Sequence, residues 1–381
     1  MFIPVVADIV ATEKHVSSFV ALISVAFYAS SSLFSVLAGR WADMTGSRAK
    51  LIGVGLAFLS IGLLGFFFAL AFAAGSLIVI LVIVSSIVAG FGSAFYHPLA
   101  ATVLQGFFLT KSKGKALGVN GAAGGLGATV YPLLFFFGAV LLSRGGAFIL
   151  LALIGFAAAS IIALGLRVRR TDLGTGSEQR RTNASEALTK GIVILTVVTA
   201  VRSVSTTGVV SYLSYYITNQ KGAGLGTTLG LTLSAMYASA IFGQLLFGAM
   251  MDRFDKRLVL GIGSAGSALS TIGYISTGGV VEVGFIALFG LCTFSIFPTL
   301  LGLASEYVPE TSSSLGNALV WGLGIGGGSV IGPAVVGLMI GGNPAGLNIA
   351  FELMAVTGMI GALMTPLMPR PGKAEKPVLM N

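Results

Sequence analysis

Charge is what this chain has least of. Only 9% of its 381 residues are Asp, Glu, Lys or Arg, where a soluble chain carries roughly a quarter. Cysteine is almost absent: Cys292 stands alone, which excludes an internal disulfide. With two histidines besides, neither a metal cluster nor any resident metal is expected. No catalytic triad and no phosphate-binding loop can be read, so neither enzymatic chemistry, built-in ATP coupling nor a cofactor is expected. The first residues lack the basic stretch and small-residue cleavage site of a secretory leader. What remains is oil. Hydrophobic residues make up 55% of the chain and 54 glycines run through it, with a mean hydropathy of +0.96. Glycine is more frequent in membrane helices than in soluble ones, because it lets helices approach closely. The fold class expected is an all-α polytopic membrane protein.

A span needs about 20 mostly apolar residues. Such runs fall at about 16–38, 51–74, 77–104, 116–142, 147–166, 191–218, 227–247, 258–277, 283–305, 315–340 and 347–368. Ahead of them lies "MFIPVVADIVA", too short to cross. The loops near 39–50, 105–115, 167–190 and 248–257, with the tail after 368, hold 18 of the 22 Lys and Arg. The opposite loops hold only Lys14, Arg144 and Lys221. Basic loops face the cytoplasm. The net charge of +9 is therefore topology and contact with the lipid bilayer, and no nucleic-acid partner is implied. This orientation puts Met1 near the bilayer midplane, a costly place for a charged amino terminus. It leads to the expectation that the first span is truncated here and that the natural chain starts upstream. The alternative is an eleven-span protein with a short outer segment. The polar stretch "RVRRTDLGTGSEQRRTNASEALTK" reads as a cytoplasmic linker over 167–190. It separates an N-terminal bundle (1–166) from a C-terminal six-helix bundle (191–368) and a cytoplasmic tail (369–381).

The two halves repeat one another, as carriers built by duplication do. "GRWADMTGSRAK" (39–50) matches "GAMMDRFDKRLV" (248–259), each a Gly-x-x-x-Asp, a turn and basic residues. "GFGSAFYHPLAA" (90–101) matches "GLCTFSIFPTLL" (290–301), with Pro98 and Pro298 in register and Phe297 opposite His97. Each is followed by a Gly-rich span that meets a proline, "GVNGAAGGLGATVYP" and "GLGIGGGSVIGP". The run "GAAGGLG" (121–127) has no strand before it, so close helix packing is a better reading than a phosphate loop.

The loop at Gly39, Asp43, Gly46 and Arg48, and its degenerate copy at Gly248, Asp252, Arg253 and Arg257, resembles the signature loop of the major facilitator superfamily. Within it, "GSAFYHPLAA", the "VRS" of the seventh span and "SIFPTLLGLASEYVP" resemble the fosmidomycin-resistance-like efflux branch. The resemblance implies two bundles of six helices in a twelve-span plan, alternating access around a mid-membrane site, and proton coupling. It also implies that Asp43 and Arg48 are latch residues that pair with the loop's own basic residues and a helix end of the other bundle. The second copy departs from the pattern, with Asp255 where a glycine is expected.

Arg202 is the leading solute-binding candidate. It lies eleven residues into its span, about 16 Å of helical rise and close to the midplane. An arginine there needs a watery cavity or a partner, and its planar fork suits carboxylate, phosphate or phosphonate. The competing reading is a brace on backbone carbonyls. His97 lies about 12 Å from the cytoplasmic end of its span; it reads equally as a ligand or proton relay and as a neutral helix–helix contact beside a Pro98 kink. Asp8 and Glu352 are the carboxylates within the outer leaflet, candidates for proton coupling together with His97. Tyr96, Tyr131, Tyr212 and Tyr237 are candidates to line the cavity, or else helix contacts. The function expected is a monomeric secondary carrier, an antiporter of the cell membrane that exports a small organic, anionic solute against protons. The alternatives are uptake of an organic or phosphorylated acid, and a transport-inactive sensor on the same scaffold.

Overall fold

The computed structural model describes residues 3–14, 18–45, 47–73, 75–107, 113–165, 188–308, 316–317, 319–341 and 343–370. The loop glycine Gly46, nearly all of the linker and the end of the tail lie outside the described residues, as do the side chains of Asp43 and His97. The described residues are almost entirely helical. Helices α1 (Ile3–Lys14), α2 (Ser18–Thr45), α3 (Arg48–Phe72), α4 (Ser76–Phe107) and α5 (Lys113–Gly165) build the first half. Helices α6 (Lys190–Asn219), α7 (Thr227–Arg253), α8 (Lys256–Ser276), α9 (Gly279–Phe294) and α10 (Phe297–Tyr307) follow. A π-helical segment, Leu319–Gly326, leads into α11 (Gly327–Ile340), and α12 (Leu347–Leu363) closes the second half.

Lipid dictates this economy: in hydrocarbon every backbone amide and carbonyl must pair within its own helix. Among the described residues nine helices are long and apolar enough to cross a membrane. Large apolar side chains cover their outward faces, Phe72, Leu164, Val280 and Leu338 among them. At 53 residues, α5 would extend about 80 Å, far beyond a hydrocarbon core of about 30 Å. It is broken at Ser143, whose φ of 75° lies in the left-handed region, so the helix folds back as two separate spans. The sequence "SRGG" makes that turn, and the expected spans 116–142 and 147–166 are its two arms.

In the first half, α3 packs on α4 and α5, and α2 packs on α4; in the second, α6 packs on α11 and α12, and α9 packs on α7 and α8. The halves meet where α5 lies on α7 and α2 lies on α11, with α1 wedged between α2 and α6. Glycine sets the closeness of the first contact. A Cβ on Gly118 would stand 3.2 Å from the Gln244 carbonyl, and one on Gly121 would strike the Gln244 side-chain amide. The Gly-rich run is thus a packing surface on that side, while Gly124 and Gly127 face open space.

The paired prolines behave differently. Helix α4 runs through Pro98 without interruption. In the other half the chain breaks at Ser295 and Ile296, with Pro298 inside the first turn of α10. A proline has no amide to donate and cannot close the ladder behind it.

Candidate functional site

The broken helix is where the polar side chains of the second half converge. Ending α9 at Phe294 leaves carbonyls with no partner in their own helix. Two side chains from other helices take them up. Arg202, on α6, donates from Nη2 to the Thr293 carbonyl at 2.6 Å, and Gln244, on α7, donates from Nε2 to the Phe294 carbonyl. A cation at a helix C-terminus also meets the negative end of the helix dipole. Arg202 is only 6% exposed. Gly361 of α12 packs against its backbone and Cβ, and among the described residues no carboxylate pairs with its guanidinium. Its Nε finds no acceptor, and the hydroxyls of Thr293 and Thr299 and the Oε1 of Gln244 are buried without partners. Arg202 thus holds the Thr293 carbonyl through Nη2 while its Nε is left over.

A second group lies between the halves. Tyr28 of α2 sits beside Ser211 of α6 and near Tyr237 of α7. Tyr237 in turn stacks at a tilt on Phe294, ring centroids 5.1 Å apart, at the end of α9. Tyr212 lies next to Ala21 of α2 and beneath Gly337 of α11. Tyr131 packs against the same apolar core. Ser24 and Ser214 are fully buried and, among the described residues, their hydroxyls have no partner. Other helical serines, such as Ser86, Ser264 and Ser267, donate to the carbonyl four residues back. Tyr212 and Tyr237 thus come to the interface. Tyr96 packs with Ile52, Phe95 and Leu99 inside the first bundle.

The carboxylates also separate. Asp8 is fully buried on α1, and the Thr218 hydroxyl at the C-terminal end of α6 donates to its Oδ2 at 2.8 Å. This hydrogen bond joins the two halves. Glu352 is exposed on α12 and, among the described residues, is drawn into no such contact.

At the signature loops, Gly39 and Asp43 lie in the last turns of α2, and Arg48 is buried where α3 begins. In the second copy Gly248 faces Gly118 across the interface, while Asp252 and Arg253 are exposed. Arg257 turns to its own bundle: Nε meets Asp255 Oδ1 at 3.0 Å and Nη1 donates to the Met368 carbonyl at 2.8 Å. Asp255, the departure from the pattern, caps α8 by accepting from the Arg257 amide at 2.9 Å. The Arg257 guanidinium holds the Asp255 carboxyl below the usual carboxylate range, and Asp255 raises Arg257 in return.

Reasoning from sequence missed Tyr28, Thr218, Ser211 and Gln244. For Gln244 a signal existed: an amide inside an apolar span is costly to bury unpaired, by the logic that singles out Arg202. Tyr28 and the serines carry no such mark, since hydroxyls in helices usually serve themselves.

Known proteins place this architecture. The chain is 29% identical over 343 residues to an uncharacterized MFS-type transporter, YfnC, of Bacillus subtilis (strain 168), a match covering 88% of this chain and 81% of that one. In fold it is similar to a bacterial homologue of the human lysosomal transporter Spinster, solved inward-facing and unoccupied (TM-score 0.71, 17% identity, 96% of this chain and 92% of that one). It is also similar to the E. coli fucose:proton symporter FucP (TM-score 0.64, 16% identity, 97% and 95%). Both likenesses agree with two helical bundles on a twelve-span plan. The profile of the Major Facilitator Superfamily matches residues 1–319 and again 195–379, and so this integral, multi-pass membrane protein belongs to that superfamily of transporters and is not an enzyme.

Proposed function

We propose that the chain is a monomeric, proton-coupled carrier of the cell membrane that exports a small organic anion by alternating access. The observation that carries this reading is Arg202, a guanidinium buried at mid-helix with no acidic partner among the described residues. A cation in that position needs an anion, backbone carbonyls or a water-filled cavity. Its brace on one carbonyl leaves Nε unserved. Asp8 supports proton coupling: its carboxylate is buried and hydrogen-bonded across the halves to Thr218, so its protonation state acts on a contact that has to change as the bundles rock. The fucose:proton symporter, similar in fold, offers a precedent for proton coupling on this scaffold. Export as the direction rests on the resemblance of "GSAFYHPLAA" and "SIFPTLLGLASEYVP" to the fosmidomycin-resistance-like branch.

The test is flux of labelled carboxylates and phosphonates in proteoliposomes, with and without a pH gradient. The expected result is gradient-driven accumulation that Asp8→Asn abolishes while counterflow survives. Flux indifferent to both the gradient and Asp8 would remove the coupling, and no flux of any anion would remove the anionic solute.

A further inference from the structure

The break between α9 and α10 has two ends, and among the described residues side chains from other helices take up the carbonyl one. The carbonyl end, Thr293 and Phe294, is taken up by Arg202 and Gln244. The amide end belongs to α10, an 11-residue helix whose first backbone bond runs from the Leu300 amide to the Ile296 carbonyl at 3.0 Å. The amides of Phe297 and Thr299 lie ahead of that bond, where a helix start leaves its donors over and presents the positive end of its dipole. Around the same break the unused donors are Arg202 Nε and the hydroxyls of Thr293 and Thr299, each buried without a partner among the described residues. All of them donate or can donate. The local charge is positive, and no carboxylate offsets it among the described residues.

We propose that the broken helix is an oxyanion seat, in which the first turn of α10, the free edge of Arg202 and the two threonine hydroxyls hold the carboxylate, phosphate or phosphonate group of the solute. Half-helix ends are suited to this because they offer fixed backbone donors at membrane depth without extra charged side chains. Arg202 then does two things at once: it closes the carbonyl end and charges the amide end. Gln244 Oε1, an unused acceptor at the break, is free to take a hydroxyl or a protonated oxygen of the same solute. Gln244 also touches Gly121 of the other bundle, so filling the seat bears directly on the contact between the halves.

This inference rests on the carrier reading and is tested apart from it. The full chain in lipid nanodiscs is titrated with inorganic phosphate, with methylphosphonate and with glycerol as an uncharged control. Binding is read as ligand-induced thermal stabilisation of each variant relative to its own ligand-free state. General salting by phosphate acts on every variant alike, so only differences between variants count. The parent protein should be stabilised by both oxyanions beyond the level that Arg202→Gln retains, and not by glycerol. Thr299→Val keeps the shape and leaves the brace intact; it should weaken apparent oxyanion affinity by about 3- to 10-fold, the worth of one hydrogen bond. Arg202→Lys should fall between the parent and Arg202→Gln, because it keeps the charge and loses the fork. If the parent shows no stabilisation beyond Arg202→Gln, or Thr299→Val matches the parent, the seat does not exist and Arg202 is a brace alone. Proton-driven flux of a solute by a protein that fails this titration overturns the seat and leaves the carrier; specific binding with no flux of any solute does the reverse.

Discussion

Gly121→Ala puts the contact between the halves to the test. The added methyl would run into the Gln244 side-chain amide. That amide cannot simply swing away, because its Nε2 holds the Phe294 carbonyl at the helix break. Either the cap or the α5–α7 contact has to yield. Overpacking a close contact costs typically 1–3 kcal/mol, and the cost falls only on the conformation in which α5 and α7 touch here. A differential of about 1–3 kcal/mol changes the balance of two states by about 5- to 150-fold. Gln244 lies on the inner part of α7, two to three turns before Arg253 ends the helix, so the population moves toward a state open to the cytoplasm. The assay is a spin-label distance distribution between Val119→Cys on α5 and Phe254→Cys after α7; both positions are exposed, and the native Cys292 is buried. Gly121→Ala should shift weight to the longer distance and lower flux. Gly124→Ala, on the same helix but facing open space, is the control: it should leave the distances alone and strengthen α5 slightly, since alanine is the better helix former. Equal distributions for Gly121→Ala and the parent, or equal effects of the two alanines, would refute the close-packing argument.

Three further outcomes follow from contacts elsewhere. Thr218→Val removes the donor to Asp8 while keeping its shape; a hydrogen bond to a charged group is worth about 1.5–3 kcal/mol, so the pH profile of exchange should move, whereas Asp8→Asn should flatten it. Asp255 is held below its ordinary range by Arg257, so the clamp contributes stability above the unfolded-state pKa and loses it as pH falls through the folded one. Because Asp255 is exposed, that contribution is under about 1 kcal/mol: Asp255→Asn should lower the unfolding temperature at pH 7 by about 1–2 °C, and the difference should shrink below about pH 4. Lys221 joins Glu282 at 3.3 Å and donates to the Thr277 carbonyl at 2.9 Å, beneath the Tyr274 ring; Lys221→Met should loosen the outer ends of α6, α8 and α9, seen as faster amide exchange there and little change in solute affinity.

How much of this was legible depends on what a membrane forces a sequence to reveal. Spans are written in long apolar runs because hydrocarbon tolerates little else, and the fold-back at Ser143 shows as "SRGG" between two of them. Arg202 stands out for the same reason: a charge in oil is conspicuous. Its direction does not. The partner carbonyl belongs to Thr293, 91 residues away, and a backbone carbonyl leaves no trace in composition. Pro298 announces a disturbance, yet Pro98 announces the same one and α4 runs straight through it. In the second half Arg202 and Gln244 supply donors to the carbonyls at the break. The tyrosines show the same limit from another side. A soluble helix declares its buried face by its polar one, but a helix apolar all round declares none. Tyr96 and Tyr237 look alike in sequence, and only the rotation of each helix, fixed by glycine contacts such as Gly118 on Gln244, decides that one packs within a bundle and the other stands at the interface. In a chain this poor in charge the polar residues are easy to find one by one, and the function lies in which of them the packing brings together.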